Sequence, residues 1–224
     1  MLSLRLKTVA ALVPSGARVC DIGTDHARLP IYLIQSGIAK NVIAADLREK
    51  PLAKARENIA AAKVTGIETR LSDGFNEVDF NEFDTAIIAG IGGEVISGII
   101  KRADILKSSD KLLILQPTTS PEVLRRFLCE NGFLTESETP VLDNGKLYSV
   151  IAARFNGKPQ IRGEAYYYIG NITPDTTAGN MYIKKQYNRI IKCAAALANI
   201  PEKSREYEYY NNLSKEIGRK LNGV

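Results

Sequence analysis

Arg18-Val19-Cys20-Asp21-Ile22-Gly23-Thr24-Asp25-His26-Ala27 decides how the rest of the chain is read. Its first five residues are a short run bounded by glycine, the pattern of a buried strand. From Ala27 to Gly37 the apolar spacing becomes helical, and the unit then repeats. Asn41–Asp46 (NVIAAD), Ile67–Leu71, Asp84–Ala89 (DTAIIA) and Lys111–Gln116 (KLLILQ) read as strands. Lys50–Lys63, Glu94–Leu106 and Pro121–Asn131 read as the helices between them. Pro51 suits a first helical turn, and Ser120 with Glu122 predicts a side-chain N-cap on a helix stopped by Gly132. Phe133–Glu138 and Leu147–Arg154 add two strands around Asp143-Asn144-Gly145, where Asn-Gly suits a tight hairpin turn. Strand–helix alternation predicts an α/β fold, a doubly wound, Rossmann-like sheet of seven strands. The closing pair has no helix between its strands, so one edge strand is expected to run antiparallel. Strands rich in Val, Ile and Leu on both faces predict burial on both faces.

Past Asn156-Gly157-Lys158-Pro159 the pattern changes. Residues 159–179 read as irregular, with Gly170, Pro174 and Gly179 as breakers. Ile183, Tyr187, Ile190, Ala194 and Leu197 then recur at steps of four and three. Beyond Pro201, Tyr207, Tyr210, Leu213, Ile217 and Leu221 do the same. Two such seams predict an antiparallel α-helical hairpin, a short coiled coil. The chain divides into an α/β domain, residues 1–156, and a helical extension, residues 157–224. At the other end, Leu4, Val9, Leu12 and Val13 fit a short amphipathic helix that stops at Pro14-Ser15-Gly16.

Composition excludes several classes. The 224 residues are 45% hydrophobic and 25% charged, which is globular rather than disordered or collagen-like. Cys20, Cys129 and Cys193 are far apart, and His26 is the single histidine, so neither a disulfide framework nor a metal site is expected. No run approaches the ~20 apolar residues of a membrane span. Val9–Val13 is shorter than the ~7–15 residues of a signal-peptide core, so a cytoplasmic protein without membrane contact is expected. The net charge of +5 is unevenly placed: residues 1–154 hold 19 Lys/Arg against 19 Asp/Glu, residues 155–224 hold 11 against 6. Eight of the ten tyrosines lie in the second part. A basic, tyrosine-rich tail on a neutral body suits a phosphate-bearing partner or a solvated helical surface. Tyr166, Tyr167, Tyr168, Tyr207, Tyr209 and Tyr210 are candidates for stacking on RNA.

In an open parallel sheet, ligands bind beyond the C-terminal strand ends where strand order reverses. Those ends here are Asp21-Ile22-Gly23-Thr24-Asp25-His26, Asp46-Leu47, Ser72-Asp73-Gly74, Gly90-Ile91-Gly92-Gly93 and Gln116-Pro117. Gly23 permits close backbone approach to a ligand. Asp46 can accept hydrogen bonds from two ribose hydroxyls. Asp73 can accept one from an adenine amino group. A nicotinamide cofactor would bring its pyrophosphate against Asp25, and like charges repel. S-adenosylmethionine carries an ammonium and a sulfonium, which favour carboxylates. These residues therefore point to S-adenosylmethionine. The expected cofactor contacts are Asp21, Gly23, Thr24, His26, Asp46, Leu47, Asp73, Gly74 and Gly90. Asp25, just past the glycine turn, is the candidate catalytic group.

Several motifs together resemble the bacterial tRNA (adenine-22-N1)-methyltransferase family. They are Asp21-Ile-Gly-Thr-Asp-His-Ala27 with Leu29-Pro30, Ile88-Ala-Gly-Ile-Gly-Gly93, Leu113-Ile-Leu-Gln-Pro117 and Asn144-Gly-Lys-Leu-Tyr148. Ile91 stands where that family often has Met, and Asp46 where it can have Glu. The resemblance implies methyl transfer to N1 of an adenine in the D-arm of tRNA. Substrate contacts are expected from Ile91, Gly92, Gly93, Gln116, Pro117 and Tyr148, the flat glycine loop giving a base room to approach, and a monomer or weak dimer through the C-terminal helices is expected. Two other readings stay open: a small-molecule methyltransferase with a dimerising helical arm, and a non-enzymatic adapter on the same fold.

Overall fold

The computed structural model describes residues 2–222. Seven strands form one sheet: β1 (Ala17–Ile22), β2 (Ala39–Asp46), β3 (Ile67–Leu71), β4 (Thr85–Ile91), β5 (Leu112–Pro117), β6 (Phe133–Asp143) and β7 (Lys146–Phe155). Their order is β3-β2-β1-β4-β5-β7-β6. Strands β1 to β5 pair in parallel, and order reverses between β1 and β4, as in a doubly wound sheet.

Two details of the sheet differ from the sequence reading. The antiparallel strand is not at the edge: β7 pairs antiparallel with both β5 and β6. The crossover helix after β5 carries the chain past one vacant position, and the hairpin returns β7 into it. Asn144 and Gly145 turn that hairpin, both with positive φ (48° and 73°). The strands are also not all buried on both faces. Strand β3 lies at the opposite edge, and Leu71 is exposed.

Helices α1 (Leu4–Ala11) and α2 (Arg28–Gln35) cover one face of the sheet, meeting Val19, Val42, Ile87 and Ile114. Helices α4 (Gly93–Arg102) and α5 (Pro121–Glu130) cover the other, meeting Ile22, Ile43, Ile88 and Leu113. Helix α3 (Glu49–Ala62) follows β2. Ser120 does not cap α5 with its side chain. It sits in the left-handed region (φ 48°), and its hydroxyl donates to Glu94 3.3 Å away.

Helices α7 (Thr177–Leu197) and α8 (Ser204–Leu221) form the expected hairpin, with Tyr187 of α7 against Gly218 of α8. The segment read as irregular holds a further helix, α6 (Glu164–Ile169). Six residues are too few to be stable alone. Burial of Tyr167 and Ile169 holds α6, and Arg125 of α5 donates to the carbonyls of Tyr167 and Tyr168 at 2.8 and 2.9 Å. Arg125 is fully buried, and it also bonds Glu138 of β6 at 2.6 Å and the Tyr182 hydroxyl of α7 at 2.8 Å. The Arg125 guanidinium thus links the hairpin to the sheet. Its own core joins Ile169, Tyr182, Ile183, Ile190, Leu213 and Ile217.

Candidate active site

The turn after β1 is stitched to the end of β2. The amides of Gly23 and Thr24 both donate to the Ala45 carbonyl, at 2.9 and 3.0 Å. Gly23, Asp25 and Ala27 alternate into positive φ (74°, 54° and 54°), which only glycine adopts without cost. The Asp25 amide donates to one oxygen of Asp46 at 3.3 Å, and the Arg48 amide to the other at 3.0 Å. The His26 carbonyl accepts from Asn58 of α3 at 2.9 Å. These bonds set the loop so that Asp21 points inward and Asp25 outward.

A cleft of about 620 Å³ opens at the point where strand order reverses. Asp21, Gly23, Thr24, Asp25 and His26 line it from the first loop. Asp46 and Leu47 line it from β2, Asp73 and Gly74 from the loop after β3, and Gly90 and Ile91 from β4. The floor is acidic and buried: Asp21 and Asp46 are 4% and 6% exposed. Burial, and then the charge of Asp46, push the Asp21 carboxyl up to about 6, against the pull of the nearby Thr24 hydroxyl. Thr24 Oγ1 is itself buried, without a partner in hydrogen-bond geometry among the described residues. Asp25 is exposed, with His26 Nε2 3.4 Å away.

The other predicted substrate residues lie outside this cleft. Gly92 and Gly93 sit beneath the loop after β5. A Cβ on Gly93 would come 2.3 Å from the Ser120 carbonyl, and one on Gly92 2.9 Å from Thr119 Oγ1. Gln116 is fully buried. It accepts from the Gly90 amide at 3.1 Å and from Arg5, and donates to the Pro117 carbonyl at 2.8 Å. Pro117 and Tyr148 line a separate cavity. Arg5 joins these pieces, since its guanidinium also lies over the Tyr148 ring, 5.6 Å from its centre.

Sequence reasoning missed four arginines that line the cleft: Arg5, Arg28, Arg48 and Arg102. Arg102 pairs with Asp73 at 3.3 Å, and Arg48 lies 4.0 Å from Asp46. The formally neutral body therefore brings both signs to the cleft, with the Asp21 and Asp46 carboxylates buried at its floor and Arg48 and Arg102 exposed beside Asp46 and Asp73. The sequence carried a signal for two of the four arginines: Arg28 and Arg48 each follow a strand-end loop within two residues. Of the candidate tyrosines, Tyr167 is buried, and Tyr209 is partly exposed with its hydroxyl donating to Glu164 at 2.7 Å. Among the described residues, no cluster of His, Cys, Asp or Glu suits a metal ion, and no helix is long and apolar enough to cross a membrane.

Residues 2–151 match the family model described as a methyltransferase domain. The chain belongs to the methyltransferase-domain family. This methyltransferase is 33% identical over 153 residues to the tRNA (adenine(22)-N(1))-methyltransferase of Bacillus subtilis, a match covering 68% of the chain and 64% of that protein. The likeness in structure extends further. The crystal structure of the B. subtilis m1A22 tRNA methyltransferase TrmK superposes with a TM-score of 0.86 at 25% identity, over 97% of this chain and 98% of that one. M. capricolum TrmK, solved with S-adenosylhomocysteine, superposes with a TM-score of 0.82 at 28% identity, over 99% and 98%. The methyltransferase cleft fits S-adenosylmethionine on its own chemistry. The buried Asp21 carboxylate and a Thr24 hydroxyl with no partner among the described residues make a costly floor for a pocket, and a cationic ligand with hydrogen-bonding groups relieves that cost.

Proposed function

We propose that this chain transfers the methyl group of S-adenosylmethionine to N1 of adenine 22 in the D-arm of tRNA. The observation that carries the reading is likeness over nearly the whole chain, helical hairpin included, to the B. subtilis m1A22 tRNA methyltransferase TrmK and to M. capricolum TrmK. A methyltransferase body alone leaves the substrate open; the shared hairpin narrows it. A cytoplasmic location accompanies a tRNA substrate.

In this reading the cofactor supplies a methyl group on a positively charged sulfur. Asp21 and Thr24 hold its amino-acid part, Asp46 the ribose and Asp73 the adenine amino group, with Gly23, His26, Leu47, Gly74 and Gly90 shaping the walls. Adenine N1 keeps its lone pair at neutral pH, so no base must act before attack. The chain must align N1 with the methyl group and exclude water. Because N1 lies on the pairing edge, the base must leave its stack before it enters. Gly90 and Ile91 leave room for it at the end of β4. The methylated ring becomes cationic. Asp25, exposed at the mouth, stabilises that charge or accepts a proton from the exocyclic amine. Lys and Arg residues of the extension, residues 157–224, hold the phosphates, in a salt-dependent way. The test is incubation with labelled S-adenosylmethionine and bulk tRNA, followed by nucleoside analysis. Label in 1-methyladenosine is expected; label in another nucleoside, or none, overturns the reading.

A further inference from the structure

A second cavity of about 380 Å³ lies between the loop after β5, the start of β7 and helix α7. Its size is within the range of about 300–1,000 Å³ typical of ligand pockets. Gln186 of α7 lines it, only 5% exposed, and Gln186 Oε1 has no hydrogen-bond partner among the described residues. A buried amide left unbonded costs stability unless something bonds it. The remaining walls combine apolar surface from Pro117, Leu147 and Tyr148 with two cations, Lys185 and Arg189. Glu122 fixes Arg189 by an ion pair at 2.7 Å. Lys185 makes only a long contact, 3.4 Å, to the Leu147 carbonyl.

The cavity adjoins the active-site cleft. The amide of Thr118, in its wall, donates at 2.8 Å to the carbonyl of Ile91, which lines the cleft. Arg5 of the cleft lies over the ring of Tyr148, which lines the cavity. The cavity also shares Lys185 and Arg189 with a basic groove along α7, which Lys184 and Lys192 line as well.

From this we infer that the cavity receives one nucleotide of the RNA substrate, next to the base being methylated, with Gln186 reading its edge and Lys185 and Arg189 holding its phosphate. An amide offers a donor and an acceptor side by side, which suits a base edge. Apolar walls suit its faces, and the cations its phosphate. The inference rests on the tRNA reading above, and it adds a position of sequence preference away from the target.

The test compares the wild-type protein with Gln186→Met on tRNA transcripts in which each nucleotide flanking adenine 22 is changed in turn. The wild type is expected to discriminate at one flanking position by about tenfold in kcat/KM. Gln186→Met is expected to lose that discrimination and raise KM for tRNA, with kcat, cofactor affinity and thermal stability maintained. Lys185→Ala, at an exposed position, is a second probe that does not depend on the buried substitution folding. It is expected to raise KM about equally on all transcripts. A Gln186→Met protein with wild-type KM and preference overturns the inference and leaves the tRNA reading standing, as does wild-type KM for Lys185→Ala should the buried variant not fold. A wild-type protein that methylates no transcript overturns both.

Discussion

Asp21→Asn separates what the floor of the cleft does for stability from what it does for binding. The Asp21 carboxyl is 4% exposed and is raised from an ordinary 3.8 to about 6, chiefly by burial and then by Asp46. That rise corresponds to about 3 kcal/mol against the ionised form. The folded protein holds this proton more tightly than the unfolded chain does. The stability Asp21 contributes is therefore fully present below about pH 3.8 and is lost as pH rises through about 6. Asparagine keeps the size and polarity without the charge. The variant should match the wild type most closely at the acid end and become more stable by about 1–3 kcal/mol at neutral pH. Taking the difference between the two proteins cancels the other carboxylates, several of which are lowered by ion pairs and act in the opposite sense. At neutral pH the same variant should bind S-adenosylmethionine at least ~10-fold more weakly, since a lost charge-assisted contact is worth about 1.5–3 kcal/mol. The assays are urea unfolding at several pH values and calorimetric titration with the cofactor. A variant less stable than the wild type at neutral pH refutes the stability argument. Wild-type cofactor affinity refutes the assignment of Asp21 to the cofactor.

Arg125→Met leaves Glu138 charged and unpaired in the core, so urea unfolding should show a loss of about 3–5 kcal/mol; a loss under about 1 kcal/mol contradicts the link. Asp25→Ala should retain cofactor affinity by calorimetry while kcat on tRNA falls by about 10²-fold; unchanged turnover removes Asp25 from the chemistry. Gly93→Ala pushes a methyl group against the Ser120 carbonyl and should cost about 1–3 kcal/mol in thermal unfolding; wild-type stability would show that the loop gives way freely.

The parallel half of the sheet was legible because β1, β4 and β5 are apolar runs closed by glycine or proline, a mark of buried parallel strands, and β2 and β3 recur in step with them between helical stretches. The place of β7 was not, because an Asn-Gly hairpin looks the same whichever arm lies outermost. Helix α6 was hidden for a different reason. Gly163 and Gly170 bracket six residues, and what holds them is a guanidinium about forty positions earlier in the chain. The carboxylate positions of the cleft could be read from strand ends, since topology alone brings strand ends together. The cleft arginines could not be read together, because Arg5, Arg28, Arg48 and Arg102 come from separate elements and converge only after folding. Gly92 and Gly93 carry a similar lesson: a glycine-rich loop at a strand end can serve close backbone packing as well as ligand access. The charge split was read by chain segment, and the folded neutral body still gathers four arginines and four aspartates around one cleft.

The most direct test of the central claim is a reverse-transcription map of a tRNA transcript incubated with this protein and S-adenosylmethionine. A methyl group on adenine N1 blocks pairing, so a single new stop at adenine 22, absent from a transcript with guanine there, is the predicted result. Stops at another position, or equal methyl incorporation into the guanine-22 transcript, would contradict it.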